Sequence, residues 1–285
     1  MLTLSRRRAA LLMTATLAGC GGGGKPSAAR GSLEWAIAGP WRLNPERDPW
    51  RHPFETLRFW GIAPQLTVLE LLPGRGWYTT ILAPYLKQGG GHLIVAGFDR
   101  ARGTPAQRET QTDFERRFLT HPDQFGHIEE TVLSPSGALA PDASVDLAIL
   151  DNNVHTLMAE GAAERVFGQI AAALKQGGVF GVEQHRASST GLQDPLAGSG
   201  YVQEAYVKTL AQEAGLDFVA ASDINANPRD TRVHPFGVWT LPPTLRTSPL
   251  GQPDNPHFDT RPYVRIGESD RMTLKFRKSG AAHRG

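Results

Sequence analysis

A strand, a glycine turn and a helix follow one another between residues 66 and 86, and that succession restricts the chain to few folds. The run Leu66–Leu71 has the length and composition of a buried parallel strand and carries one acid, Glu70. Pro73, Gly74 and Gly76 then make a tight turn. Trp77–Leu86 has the spacing of a helix. Such a unit builds a crevice at the carboxyl end of a parallel sheet. Backbone approaches a ligand closely at the glycines, and the helix N-terminus offers free N–H groups. An acid at the strand end can accept hydrogen bonds from a ligand's ribose or amino group.

The rest of the chain repeats the alternation. Further strands are expected at His92–Phe98, His127–Leu133, Val145–Leu150, Val179–Glu183 and Leu216–Ala221, with a closing antiparallel strand at Arg271–Phe276. Between them lie a polar helical segment at Thr104–Phe125, an amphipathic helix at Glu160–Lys175 stopped by Gly177-Gly178, and a helix at Val202–Ala214 closed by Gly215. The pattern predicts an α/β fold: a Rossmann-like, doubly wound, seven-stranded sheet, mostly parallel with a C-terminal antiparallel strand. The domain spans residues 33–278. Residues 33–64, rich in Trp, Pro and Arg, read as an N-terminal cap, and 225–267 as a Pro-rich insertion that could fold over the site as a lid. The tail at 279–285 is expected to be disordered.

Ligands of such sheets bind outside the carboxyl ends of the strands, so the strand ends identify the candidate site residues. Strand two ends at Asp99, where an acid could hold both ribose hydroxyls of an adenosine; a solvated loop aspartate is the other reading. Strand four ends Asp151-Asn152-Asn153-Val154-His155, a carboxylate, two amides and an imidazole. A helix N-cap accounts for one Asp or Asn there, not for all four polar groups. Strand five ends Glu183-Gln184-His185-Arg186, with alternation placing Glu183 and His185 on one face; a salt-bridged strand terminus competes with a functional reading. A further polar cluster runs from Asn225 to Trp239 and includes Asp230 and His234.

The turn at 70–76 resembles the first motif of class I S-adenosylmethionine-dependent methyltransferases, an acid followed by Gly-x-Gly-x-Gly, with Leu72 standing where the first glycine is expected. Further segments resemble a bacterial family of predicted methyltransferases. They are Arg47-Asp48 with Arg51-His52-Pro53, Gly76-Trp77-Tyr78-Thr79 with Leu82-Ala83-Pro84-Tyr85, and Asn153-Val154-His155. His185-Arg186-Ala187, Asn225-Ala226-Asn227-Pro228 with Asp230-Thr231, and Val238-Trp239 with Leu241-Pro242-Pro243 continue the likeness, which covers Arg47 to Phe276. The resemblance implies methyl transfer from S-adenosylmethionine to a small molecule. It implies cofactor binding by Glu70, Gly74, Gly76 and Asp99, to which Pro73 and Asp151 are added from their places at the strand ends. For the acceptor, His155 is the candidate general base, Asn153 would orient the substrate, and His185 is the reserve base.

The N-terminus speaks to location. Arg6, Arg7 and Arg8 precede an apolar stretch, Ala9–Leu17, in the manner of a signal peptide over residues 1–19. Leu17-Ala18-Gly19-Cys20 resembles a bacterial lipoprotein processing box, and Cys20 is the only cysteine, so no internal disulfide can form. Residues 20–32 then read as a lipidated flexible tether. The protein is expected in the bacterial cell envelope, facing the periplasm and held to a membrane through Cys20. Without the leader, 27 basic residues face 28 acidic ones spread along the chain, which disfavours a nucleic-acid partner.

Export sets a difficulty, because S-adenosylmethionine is made in the cytoplasm. Ser5-Arg6-Arg7 resembles the start of a twin-arginine signal, a route that exports folded, loaded proteins. Two alternatives stay open: an envelope small-molecule-binding protein on a methyltransferase scaffold, and a metal enzyme using His155, His185 and His234 with Asp151, Glu183 or Asp230.

Overall fold

The computed structural model describes residues 28–280, so the expected leader, Cys20 and most of the tether lie outside the described residues, as do 281–285. Residues 28–32 lead through a turn into the cap, whose helices are α1 (Leu33–Ile37), α2 (Asp48–Arg51) and α3 (Pro53–Trp60), with a 3₁₀ turn at Pro45–Arg47. The glycine-turn unit follows as β1 (Thr67–Leu71) and α4 (Thr79–Gly89), then β2 (His92–Gly97). Next come α5 (Pro105–Phe118), α6 (Pro122–Phe125), β3 (Ile128–Val132), β4 (Val145–Asp151), α7 (Val154–Ala159) and α8 (Ala163–Ala173). The chain closes with β5 (Leu174–His185), α9 (Glu204–Glu213), β6 (Leu216–Ser222), β7 (Pro235–Val238), α10 (Arg261–Ile266) and β8 (Arg271–Lys278).

Seven of these strands form one sheet in the order β3-β2-β1-β4-β5-β8-β6. The first five are parallel, and β8 runs antiparallel between β5 and β6. The strand order reverses between β1 and β4, which opens the crevice there. Alternation along each strand feeds two cores. Leu69, Leu71, Ala148, Leu150, Phe180 and Val182 pack with Val166, Phe167, Ile170 and Leu210 from α8 and α9. Val68, Leu147 and Ile149 pack on the opposite face with Leu57, Trp60, Tyr78, Ile81 and Leu82. The cap is therefore part of a core: Trp60 is fully buried, donates Nε1–H to Leu274 O at 3.0 Å, and lies where a side chain at Gly181 would collide with it.

Local differences from the sequence expectation have local causes. The segment expected as one helix over Thr104–Phe125 starts with a capping box between Thr104 and Gln107 and breaks before Pro122, because the residue preceding a proline is pushed out of the α region. Gly177-Gly178 lie within β5, at an irregular stretch of its pairing with β4, so the helix ends earlier, at Ala173. The short elements α1, α7, β7 and α10 have too few residues to show a period in sequence. Ser279, expected in a disordered tail, is held by Gly215 and Gln176. No helix among the described residues is long and apolar enough to cross a membrane.

Candidate active site

At the carboxyl ends of β1 and β4 three cavities lie side by side. The largest, of ≈ 470 Å³, is lined by Leu72, Pro73, Gly74, Asp151, Asn152, Asn153, His155 and His185, with Trp239, Pro242, Pro243 and Thr244 of the insertion on its rim. A narrow space of ≈ 40 Å³ shares Leu72, Pro73 and Gly74 with it and reaches Phe98 and Gln107. Those two residues also line the third cavity, of ≈ 420 Å³, together with Asp99, Leu133, Leu157 and Arg165. Sharing these residues, the three line up as a trough across the ends of β4, β1 and β2.

The turn at its centre keeps the backbone of a glycine motif without the first glycine. Leu72 has φ 48°, in the left-handed region that costs a branched side chain about 1–2 kcal/mol. Its buried side chain in the β4-side core offsets that cost. Asn153 Nδ2 also ties the turn down, donating to Leu72 O at 3.2 Å and to Asp151 O at 2.8 Å. Gly74 has φ 57° and open space where a side chain would stand. At Gly76 a side chain would collide with Phe118, so that glycine is required by packing.

One wall of the large cavity is an arginine–carboxylate network. Arg51 Nη2 donates to both oxygens of Asp151 at 2.7 and 2.5 Å, and its guanidinium lies 4.3 Å from the Trp77 ring centroid. Arg271 pairs with Glu183 and with Glu268, each at 2.7 Å, the first contact without hydrogen-bond alignment. Arg47 grips both oxygens of Glu268, at 2.6 and 3.1 Å. Tyr78 donates its hydroxyl to Glu183 at 2.9 Å.

Burial works against the Arg51 charge, but Asp151, Glu183 and Glu268 outweigh it and raise its pKa. Burial likewise pushes Glu268 up, and Arg271, Arg47 and Arg51 more than reverse the shift. For Glu183, burial and then Asp151 prevail, and its carboxyl is raised despite Arg271 and Arg51.

The two histidines stand together, ring centroids 5.6 Å apart, with Trp239 edge-on to His155 at 5.8 Å. Gln184 fixes the state of His155. Its Oε1 accepts the Val154 backbone N–H at 3.0 Å, so its amide nitrogen is the end that meets Gly200 O at 2.9 Å and His155 Nδ1 at 3.2 Å. A flipped amide would oppose donors to donors and acceptors to acceptors. Neutral His155 therefore accepts at Nδ1 and carries its proton on Nε2. His185 Nδ1 lies 2.6 Å from Ser269 Oγ. Burial, then His155 and the arginines 271, 51 and 47, hold its pKa well below 6.5, which keeps it neutral at pH 7. Burial also lowers the His155 pKa.

Other expected site residues lie elsewhere. Glu70 shares its strand face with Val68, is buried under the start of α4, and accepts the Thr79 hydroxyl at 2.7 Å; it does not line the trough. Burial, partly opposed by Thr79, raises its pKa to about 8. His234 does not join the other two histidines: it bonds Asp230 at 2.8 Å, in a buried knot with Tyr201 and the backbone of Asp270. Among the described residues no group of three His, Cys, Asp or Glu side chains could hold a metal ion, and the three-histidine arrangement is not formed.

Asn225 and Asn227 likewise bond the protein itself, through Thr56 and Thr273 and through the Ile266 and Glu268 carbonyls. The residues that sequence reasoning did not assign to the site are Arg47, Arg51, Tyr78, Gln184, Trp239, Glu268, Ser269 and Arg271. Of these, Arg47, Arg51, Tyr78 and Trp239 had a signal as part of the segments that resemble the methyltransferase family, and Gln184 as part of the polar end of strand five.

Hydrogen-bond acceptors stand at both ends of the trough. Asn152 Oδ1 is buried at the trough without a hydrogen-bond donor among the described residues, beside the Asp151 carboxylate. Asp99 stands at the far end with one oxygen on the Ala101 N–H at 2.9 Å. No protein-family model matches the chain, and none of the curated proteins does. Among solved structures it is similar to geranyl diphosphate methyltransferase in complex with S-adenosylmethionine (12% identity, 85% of this chain and 94% of that chain, TM-score 0.54). It is also similar to geranyl diphosphate C-methyltransferase from Streptomyces coelicolor A3(2), in complex with Mg²⁺, geranyl diphosphate and S-adenosyl-L-homocysteine (13% identity, 85% of each chain, TM-score 0.54). At such identities the likeness is one of architecture: this chain has the class I S-adenosylmethionine-dependent methyltransferase fold.

Proposed function

We propose that the protein transfers a methyl group from S-adenosylmethionine to a small-molecule acceptor. The observation that carries this reading is the row of cavities that runs past Gly74 from the Asp99 end to the Asp151–His185 end. When bound, the cofactor supplies a methyl group on a positively charged sulfur, open to in-line attack by an electron-rich atom.

Asp99 would hold the ribose hydroxyls, Gly74 would admit the cofactor against the backbone, and Asn152 Oδ1 with Asp151 would accept hydrogen bonds from the amino group. Asp151 is already paired with Arg51, so the wall presents directed dipoles more than free negative charge. Glu70, Gly76 and Asn153 act indirectly, by holding the turn in shape.

On the acceptor side, His155 faces the cavity as a donor through Nε2. This is a different part from the base role expected of it. His185 takes that role in the tautomer that donates Nδ1–H to Ser269 Oγ, where its Nε2 lone pair would receive the proton of an acceptor hydroxyl or amine. Val238, Trp239, Pro242 and Pro243 line this end.

Isothermal titration of S-adenosylmethionine and S-adenosylhomocysteine into the whole chain tests the reading. Micromolar binding that weakens in Asp99→Ala is expected; no binding by folded protein at millimolar ligand overturns it. With an acceptor in hand, His185→Ala should lower turnover by about 10²–10⁴-fold. We further propose that the protein faces the periplasm on a lipid at Cys20. The Arg6–Leu17 leader and the 17–20 box support this, and loss of palmitate labelling in Cys20→Ser tests it.

A further inference from the structure

Next to the trough, on the cap side of the glycine turn, lies a separate cavity of ≈ 810 Å³. The proposed reaction assigns it nothing. It shares Leu43, Asn44 and Arg75 with the large trough cavity, so the two adjoin at the turn.

Its charge is one-sided. Arg75 from the turn and Arg116 and Arg117 from the last turn of α5 converge on it, and Asp113 is the carboxylate among its lining residues. Asp113 is taken up mainly by Arg116, at 2.5 Å, while Arg75 reaches it only at 3.9 Å. Arg117 makes no ion pair among the described residues. The side chains of Arg75 and Arg116 are 68% and 75% exposed, free to reorient onto a ligand. Trp41 and Phe125 line the same space and add an apolar flank.

A helix macrodipole explains a basic residue near the end of α5. It does not explain Arg75, which comes from another element and faces the same cavity. Guanidinium groups arranged around a concave, partly aromatic space recognise phosphate, sulfate or carboxylate by paired N–H donors. The volume falls within the range of small-molecule sites.

We propose that this cavity binds an organic anion, a phosphorylated, sulfated or carboxylated small molecule with an apolar body. Building on the methyl-transfer reading, this anion is the acceptor. Its charged group sits among Arg75, Arg116 and Arg117, and its reactive end passes Asn44 toward His185.

Phenyl phosphate is a suitable probe and phenol its neutral control. Titration into the whole chain in phosphate-free, low-salt buffer should show binding of phenyl phosphate and not of phenol. Arg116→Gln with Arg117→Gln should weaken it at least about tenfold, and Arg116→Lys with Arg117→Lys by less, since the charge remains. S-adenosylhomocysteine binding should be unchanged in both double variants. Equal binding of phenol, or wild-type affinity in the glutamine variant, overturns the proposal. Sedimentation with phosphatidylglycerol vesicles that depends on the two arginines, without a response to phenyl phosphate, also overturns it, in favour of a membrane headgroup. Arginine-dependent phenyl phosphate binding with no S-adenosylhomocysteine binding keeps the anion site and removes the methyl-transfer reading; the reverse pattern removes the anion site alone.

Discussion

The two ends of the trough are built on opposite plans. At the β2 end, Asp99 bonds a nearby backbone N–H and lies 3.8 Å from Arg102, and both are within three residues of it in sequence. At the β4–β5 end, three arginines and three carboxylates from four distant parts of the chain neutralise one another in a wall that is almost dry. The first plan leaves a side chain ready for a ligand and ties little of the fold to it. The second makes the fold depend on the site, because charges removed from water are tolerable only while every partner is present. Loss of binding without loss of stability should therefore belong to the Asp99 end, and loss of both to the arginine wall.

The largest effect should come from Arg51→Ala. It leaves Asp151, Glu183 and Glu268 facing one another with one cation fewer, and should cost about 3–5 kcal/mol of unfolding free energy in a urea titration. Adding Asp151→Asn to the Arg51 variant should recover part of the loss, since it removes the carboxylate stranded by the first change. If Arg51→Ala costs no more than Asp99→Ala, the contrast between the two ends is wrong.

Glu70 belongs structurally to the turn and electrically to the interior. Its carboxyl is raised from the ordinary 4.5 to about 8 by burial. The folded state therefore holds a proton that the unfolded chain releases in that interval. The stability tied to this proton is complete below about pH 4.5 and is lost as pH rises toward 8. Glu70→Gln keeps an oxygen for the Thr79 hydroxyl and removes the titration. Relative to wild type, the variant should gain on the order of 3 kcal/mol between pH 5 and pH 8.5. Parallel stability curves for the two proteins over that range would show that Glu70 does not hold the proton.

Asp99→Ala probes the open end. It removes ligand hydrogen bonds and a single local bond to Ala101, so S-adenosylhomocysteine affinity should fall about tenfold, near 1.4 kcal/mol, with the unfolding midpoint almost unchanged. A large drop in stability here would place Asp99 on the same plan as the arginine wall.

The open end was also the legible one. Strand ends, glycines and Asp99 are local in sequence, and β1, α4, β2, β4, β6 and β8 fall close to where apolar runs and glycines predict them. Of the arginine wall, the strand-end carboxylates Asp151 and Glu183 were legible and their pairing with the arginines was not. Arg51 and Glu268 are more than 200 residues apart, and they meet because β8 enters the sheet antiparallel, bringing its N-terminal end to the carboxyl end of β5. Nothing local marks Arg271 or Ser269 as site residues. The polar cluster at 225–234 misled in the opposite direction. Its Asn, Asp and His residues look like site chemistry, yet they satisfy buried carbonyls and hydroxyls that fasten the insertion to the cap and to β8. Polar density alone does not separate a site from a clamp.

The smallest effect concerns Leu72, where the sequence departs from the glycine motif and the backbone does not. Two opposing terms act on the residue: a buried side chain, 5% exposed, and a left-handed φ of 48°. Leu72→Ala loses the packing, about 2–5 kcal/mol, and keeps the strained backbone. Leu72→Gly loses slightly more surface but relaxes the turn. Glycine should therefore be less destabilising than alanine by about 1 kcal/mol, the reverse of the order at an ordinary buried position. The same variant separates shape from strain at the ligand side. If the turn conformation is what S-adenosylhomocysteine needs, Leu72→Gly should bind at wild-type strength at a temperature where it is still folded. An alanine variant more stable than the glycine one would mean that Leu72 does not hold the turn in the left-handed region, and the likeness of this turn to a glycine motif would then be one of sequence position only.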